Sequence, residues 1–163
     1  WCELIANGKK TIEVRKTKPK LETPFKVYIY ETKGYDTLFG KGKPKKLCVS
    51  GGRVIGEFVC DGILDCRDVN MDDTCLTVEE WLKYTKGHKG VVYAWHISDL
   101  VIYDKPRELS EFWKWCYSGC DDCDNQCWKH SAGDKFLICI VENKKPITRP
   151  PQSWCYVESG VTE

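Results

Sequence analysis

Gly8-Lys9-Lys10-Thr11-Ile12-Glu13-Val14-Arg15 sets lysines, a carboxylate and an arginine into one short alternating segment. Read with a period of two, Thr11, Glu13 and Arg15 point to one face of a strand and Ile12 and Val14 to the other. A polar, mixed-charge face thus lies over an apolar one. A solvated edge strand with an ordinary cross-strand ion pair has the same pattern, so the alternation marks a strand and a candidate site together without separating the two readings. Upstream, Trp1 to Asn7 predicts a short helix ending at Gly8, the residue type that most readily stops one.

Further along, Phe25-Lys26-Val27-Tyr28-Ile29-Tyr30 has the aromatic and β-branched bias of a strand. Gly34 through Gly52 reads as a long loop rich in glycine and lysine, and its length points to mobility or contact with a partner. Arg53 to Cys60 is apolar enough for a strand buried on both sides. Thr77-Val78-Glu79-Glu80 fits a capping box ahead of Trp81-Leu82-Lys83-Tyr84, which starts a second short helix near Thr77. Tyr93 to Tyr103 predicts a strand closed by an Asp104-Lys105-Pro106 turn, and Trp154 to Val157 a final one. Short strands, a helix near each half and no β-α-β alternation give an α+β class and favour a closed or partly closed barrel over a parallel sheet. There is no internal repeat, and no low-complexity segment apart from the lysine loops.

At 163 residues the chain is long enough for one domain with its own core. It has no apolar run long enough to span a bilayer and no signal-peptide pattern, so a soluble, cytoplasmic protein with no membrane partner is expected. Its 25 basic and 24 acidic residues nearly cancel, but their distribution is uneven. Residues 1–50 hold 12 basic and 5 acidic side chains against 13 and 19 in the rest. Lys16-Thr17-Lys18-Pro19-Lys20 and Lys41-Gly42-Lys43-Pro44-Lys45-Lys46 read as basic loops. Such loops attract phosphate backbones without regard to sequence, and they also serve solubility alone.

Of 11 cysteines, Cys116, Cys120, Cys123 and Cys127 form C-x3-C-x2-C-x3-C, with His130 as a spare ligand. Gaps this short can wrap four thiolates around one zinc ion as a closed, structural knuckle. Free thiols or a local pair of disulfides are the alternatives, the latter disfavoured in a reducing compartment. Cys60, Cys66, Cys75, Cys139 and Cys155 are scattered in mostly apolar surroundings and read as small core residues.

Gly8, Lys10, Glu13 and Arg15 stand as G-x-K-x-x-E-x-R, and in this the chain resembles the ASCH (activating-signal-cointegrator homology) family. Trp1-Cys2-Glu3-Leu4-Ile5-Ala6-Asn7, Trp95-His96-Ile97-Ser98-Asp99-Leu100 and Pro150 to Val157 look like its bacterial and phage members. The resemblance implies a single PUA-like domain over residues 1–163, a small mixed β-barrel with two or more short helices and a cysteine-rich insertion at 116–130. Family members carry one more strand ahead of the residue equivalent to Trp1, so a short N-terminal piece is expected to be missing. The oligomeric state stays open.

The resemblance also implies binding of RNA or a modified nucleotide in a cleft lined by Gly8, Lys10, Glu13 and Arg15. Arg15 can clamp a phosphate or hold Glu13, and Lys10 supplies a point charge. Glu13 can accept from a base amino group, and Trp95, Trp154 and Tyr156 are candidate stacking surfaces, although core packing is the commoner use of such aromatics. His96 reads as a satisfied core histidine. One branch of the family looks enzymatic, the bacterial acetylcytidine amidohydrolases, with a lysine, a threonine nucleophile and a glutamate. Lys10 matches the lysine, Glu13 stands where the threonine belongs, and Asp73 falls loosely at the acid, so Lys10, Glu13 and Asp73 are the catalytic candidates if the chain is an enzyme. Ribonuclease action would use Lys10 and Arg15 on the phosphate and Glu13 as base. Plain binding ranks above both, and a protein-interaction adaptor is a third reading.

Overall fold

The computed structural model describes residues 1–38, 45–114, 128–131, 134–137 and 146–159. In chain order these form helix α1 (Cys2–Ala6) and strands β1 (Ile12–Arg15), β2 (Phe25–Glu31), β3 (Gly34–Leu38), β4 (Lys45–Ser50), β5 (Arg53–Cys60) and β6 (Ile63–Asp65). Two single-turn 3-10 helices follow, then α2 (Val78–Thr85), β7 (Tyr93–His96), β8 (Ser98–Glu108), a third 3-10 turn, β9 (Phe112–Lys114), β10 (Trp128–Ser131), β11 (Asp134–Leu137) and β12 (Val157–Ser159). The class is mixed α+β, with antiparallel sheets and few helices. Among the described residues no helix is long and apolar enough to cross a membrane.

The chain divides into two compact units, one of residues 1–31 and 54–106, the other of 32–53 and 107–163. In the first, α1 ends where Gly8 takes the left-handed backbone at φ +74, and its amide donates to the Ile5 carbonyl at 2.9 Å. The turn delivers Lys10 to the start of β1. Three strands then pair antiparallel in the order β1-β7-β6, with Ile12 opposite His96, Glu13 opposite Trp95 and Trp95 in turn opposite Ile63. Ile12 and Val14 are buried while Glu13 and Arg15 keep partial exposure, the two-faced strand that the alternation predicts. Ile12, Val14, Cys66, Val92 and Ala94 form a core that α2 covers with Trp81 and Tyr84. Burial of these apolar side chains, at about 1.5–3 kcal/mol for a full Val, Leu or Ile, seats α2 beside β1.

A second sheet in this unit has the order β2-β5-β8. The alternation on β5 corrects the two-sided burial expected for it: Val54, Gly56, Phe58 and Cys60 are buried, and the residues between them are half-buried or, at Arg53, exposed. Gly56 is required here, because a Cβ on it would overlap the Val101 carbonyl oxygen of the neighbouring strand. The single strand expected over Tyr93 to Tyr103 is broken at Ile97, and Asp99 has a positive φ of 46. No turn forms at Asp104-Lys105-Pro106, since β8 runs on to Glu108. Pro106 falls on β8, which lies at the end of the strand order, and edge strands accept proline more readily than central ones.

In the second unit, the expected Gly34–Gly52 loop is instead a hairpin, β3 pairing antiparallel with β4 from Gly34 opposite Ser50 to Leu38 opposite Lys45. Tyr35, Thr37, Leu47 and Val49 are strand formers among the glycines and lysines that suggested a loop. Phe112 is almost fully buried beside Ile147, whose amide donates to the Phe112 carbonyl at 2.8 Å, and Arg107 stacks over the Phe112 ring while binding Glu111. β9 pairs with β12, and β10 with β11. Among the described residues the last strand is Val157–Ser159 rather than Trp154 to Val157.

Candidate ligand cleft

A cleft of about 310 Å³ opens beside β1. β1 contributes Glu13, Val14 and Arg15, the segment around α1 adds Trp1 and Lys10, and α2 with the turn before it adds Leu76, Glu80, Lys83 and Tyr84. Short-range chemistry fixes each wall. The Thr77 hydroxyl accepts from the Glu80 amide at 3.2 Å while the Glu80 carboxylate receives the Thr77 amide at 2.9 Å, which closes the capping box and starts α2. Glu80 is held below the usual carboxylate range, first by the Thr77 amide and hydroxyl and then by Lys83. The Thr74 hydroxyl donates to the Met71 carbonyl at 2.6 Å and accepts from the Leu76 amide at 3.2 Å, so the Thr74 backbone is locked.

That locked carbonyl meets the motif. Lys10 is only 3% exposed, and its Nζ donates to the Thr74 carbonyl at 2.7 Å. The same ammonium lies 3.5 Å from Glu13 Oε2 and 5.4 Å from the centroid of the Trp1 ring. Arg15 Nη2 stands 2.8 Å from Glu13 Oε1. One carboxylate therefore bridges two cations, one of them buried, where charge pairs are screened less than in bulk water. The Thr11 amide donates to the Asp73 carbonyl at 3.1 Å, tying β1 to the turn that carries Thr74. Tyr84 packs on the core below, with Lys16 Nζ 4.7 Å above its ring.

Of the residues singled out in the sequence, Lys10, Glu13 and Arg15 come together. Gly8 acts through its backbone, in the turn that delivers Lys10, and does not line the cleft. The Asp73 side chain is exposed and lies outside the lining. Trp95 is 3% exposed and packs edge to face on Phe25 at 5.8 Å, a core residue directly opposite Glu13 in the β1–β7 register. Trp154 belongs to the second unit, where it packs edge to face on Tyr156 at 5.2 Å. His96 is not the core histidine expected: it ends β7, stands half-exposed, and its Nδ1 lies 2.7 Å from Asp61 Oδ1. The hydrogen bond to His96 keeps the Asp61 carboxyl below its ordinary range.

Trp1, Leu76, Glu80, Lys83 and Tyr84 were not singled out, yet each lines the cleft. The capping box located α2, and the spacing of Glu80, Lys83 and Tyr84 sets them on one face of it; no local signal told which strand that face meets.

Cys116, Cys120, Cys123 and Cys127 lie outside the described residues. Among the described residues, no group of three or more His, Cys, Asp or Glu side chains converges as a metal site. Cys60 and Cys66 are buried thiols pushed up to about 11 by desolvation, which keeps them protonated and unreactive, as expected of core cysteines.

Among known families, the model of the ASCH domain matches residues 1–115. No curated protein matches the chain.

Proposed function

This chain belongs to the ASCH domain family, and from that premise we propose that it binds RNA, or a single modified nucleotide, in the cleft over β1. The observation that supports this best is the placement of Glu13 between Lys10 and Arg15, in a recess that also carries the Trp1 and Tyr84 rings. A base has π faces to stack on. A carboxylate has about four lone-pair sites, so Glu13 can accept from a base amino group while both cations hold it in place. The surrounding lysines supply the attraction for phosphate. The fold that accompanies this reading is a PUA-like barrel, acting in the cytoplasm as one domain with an insertion at 116–130, whose thiolates Cys116, Cys120, Cys123 and Cys127 hold structural zinc.

A hydrolase reading has one feature in its favour, the Lys10 ammonium 3.5 Å from the Glu13 carboxylate inside the recess, since such a pair can share general-base work on a water. Asp73, exposed and outside the lining, does not join it.

The experiment is a titration of the wild type and of Arg15→Ala with single-stranded RNA and with acetylcytidine, following binding and product together. Binding without turnover is expected, weakened about tenfold in Arg15→Ala, the loss of one charge-assisted contact. Product that vanishes in Glu13→Gln would make the protein a hydrolase. No binding of either probe would move the function to a protein partner.

A further inference from the structure

The cations around the cleft are unequally committed. Lys10 spends its ammonium on the Thr74 carbonyl, on Glu13 and on the Trp1 ring, and is 3% exposed. Arg15 is neutralised in contact by Glu13 at 2.8 Å. The third lining cation, Lys83, is exposed on the last turn of α2 and forms no salt bridge among the described residues. Its charged neighbour Glu80 is turned to the Thr77 amide and hydroxyl, both at 2.9 Å. Lys83 is therefore the cleft cation with its donors still available, and an ammonium on a flexible stem is suited to meet a phosphate as a point charge. The recess, at about 310 Å³, falls at the small end of ligand pockets, a size for one nucleotide unit rather than a run of bases.

Resting on the nucleotide reading above, we infer that Lys83 receives the phosphate of a single bound nucleotide, while the Lys10, Glu13 and Arg15 network meets its base and sugar. The motif then works as an internally balanced reader, and α2 makes the site selective for the phosphorylated form. The ligand class is a nucleoside monophosphate, free or at a chain position where one nucleotide turns into the recess.

The test compares the four common ribonucleosides with their 5′-monophosphates, and single-stranded RNA, by calorimetric titration of the wild type, Lys83→Ala, Lys83→Arg and Lys105→Ala. Lys105 is an exposed lysine on β8 outside the cleft lining. The wild type should prefer at least one monophosphate over its nucleoside by about tenfold, one charge-assisted contact. Lys83→Ala should erase that preference by lowering monophosphate affinity about tenfold more than nucleoside affinity, whereas Lys83→Arg and Lys105→Ala should keep it. A preference that survives Lys83→Ala, or an equal loss of nucleoside and monophosphate, overturns the assignment. RNA binding with no monophosphate preference in the wild type also overturns it while leaving the nucleotide reading standing. Silence toward every probe overturns both.

Discussion

Lys10 is buried and owes its charge balance to Glu13, the one carboxylate within 4 Å of its ammonium among the described residues. Stripping the carboxylate from a buried pair leaves an uncompensated charge, a loss of about 3 kcal/mol, so Glu13→Ala should lower the unfolding free energy by roughly that amount in a denaturant titration at neutral pH. Arg15→Ala removes a partly exposed partner and should cost only about 1 kcal/mol; equal losses in the two variants would show that Lys10 does not depend on Glu13. The motif was legible because period-two alternation fixes which side chains share a face, and Glu13 and Arg15, which share one, both line the cleft. His96 was misread because alternation does not tell where a strand ends. At the last position of β7 its side chain leaves the apolar row and finds Asp61 at a distance of 35 residues in sequence.

At the level of elements, β5 is packed against β8 so closely that Gly56 has no room for a side chain. Gly56→Ala should destabilise the protein by about 2–3 kcal/mol, the usual range for overpacking against a backbone atom that cannot swing away. Thermal melts followed by circular dichroism would reveal it, and an unchanged melting temperature would mean that the two strands can separate cheaply. Helices here were easier to read than strands, for a physical reason. A helix end is a local event, written in Gly8 and in the Thr77 and Glu80 pair, whereas a strand exists only through its partner. Hence β3 and β4 hid among glycines and lysines, and Asp104-Lys105-Pro106 resembled a turn while forming part of β8. The short β6 and β9 carried too few residues to show a period.

For the molecule as a whole, the cleft draws its entire lining from the first unit. The β3–β4 hairpin interrupts the sequence of that unit between β2 and β5, which are neighbours in one sheet. Replacing residues 34–51 by a short glycine-rich turn should therefore leave affinity for a nucleotide within about twofold of wild type by calorimetric titration, a change under ~0.5 kcal/mol. A larger loss would give the hairpin a part in the cleft. The discontinuity has a further consequence, for a chain made from its N-terminus onward. β1 emerges before its strand partner β7, which follows nearly eighty residues later, a delay on the order of ten seconds at ordinary elongation rates. Throughout that interval the motif strand is a nascent segment without a sheet to join. A polypeptide stalled or truncated before Tyr93 would carry every motif residue, and no cleft.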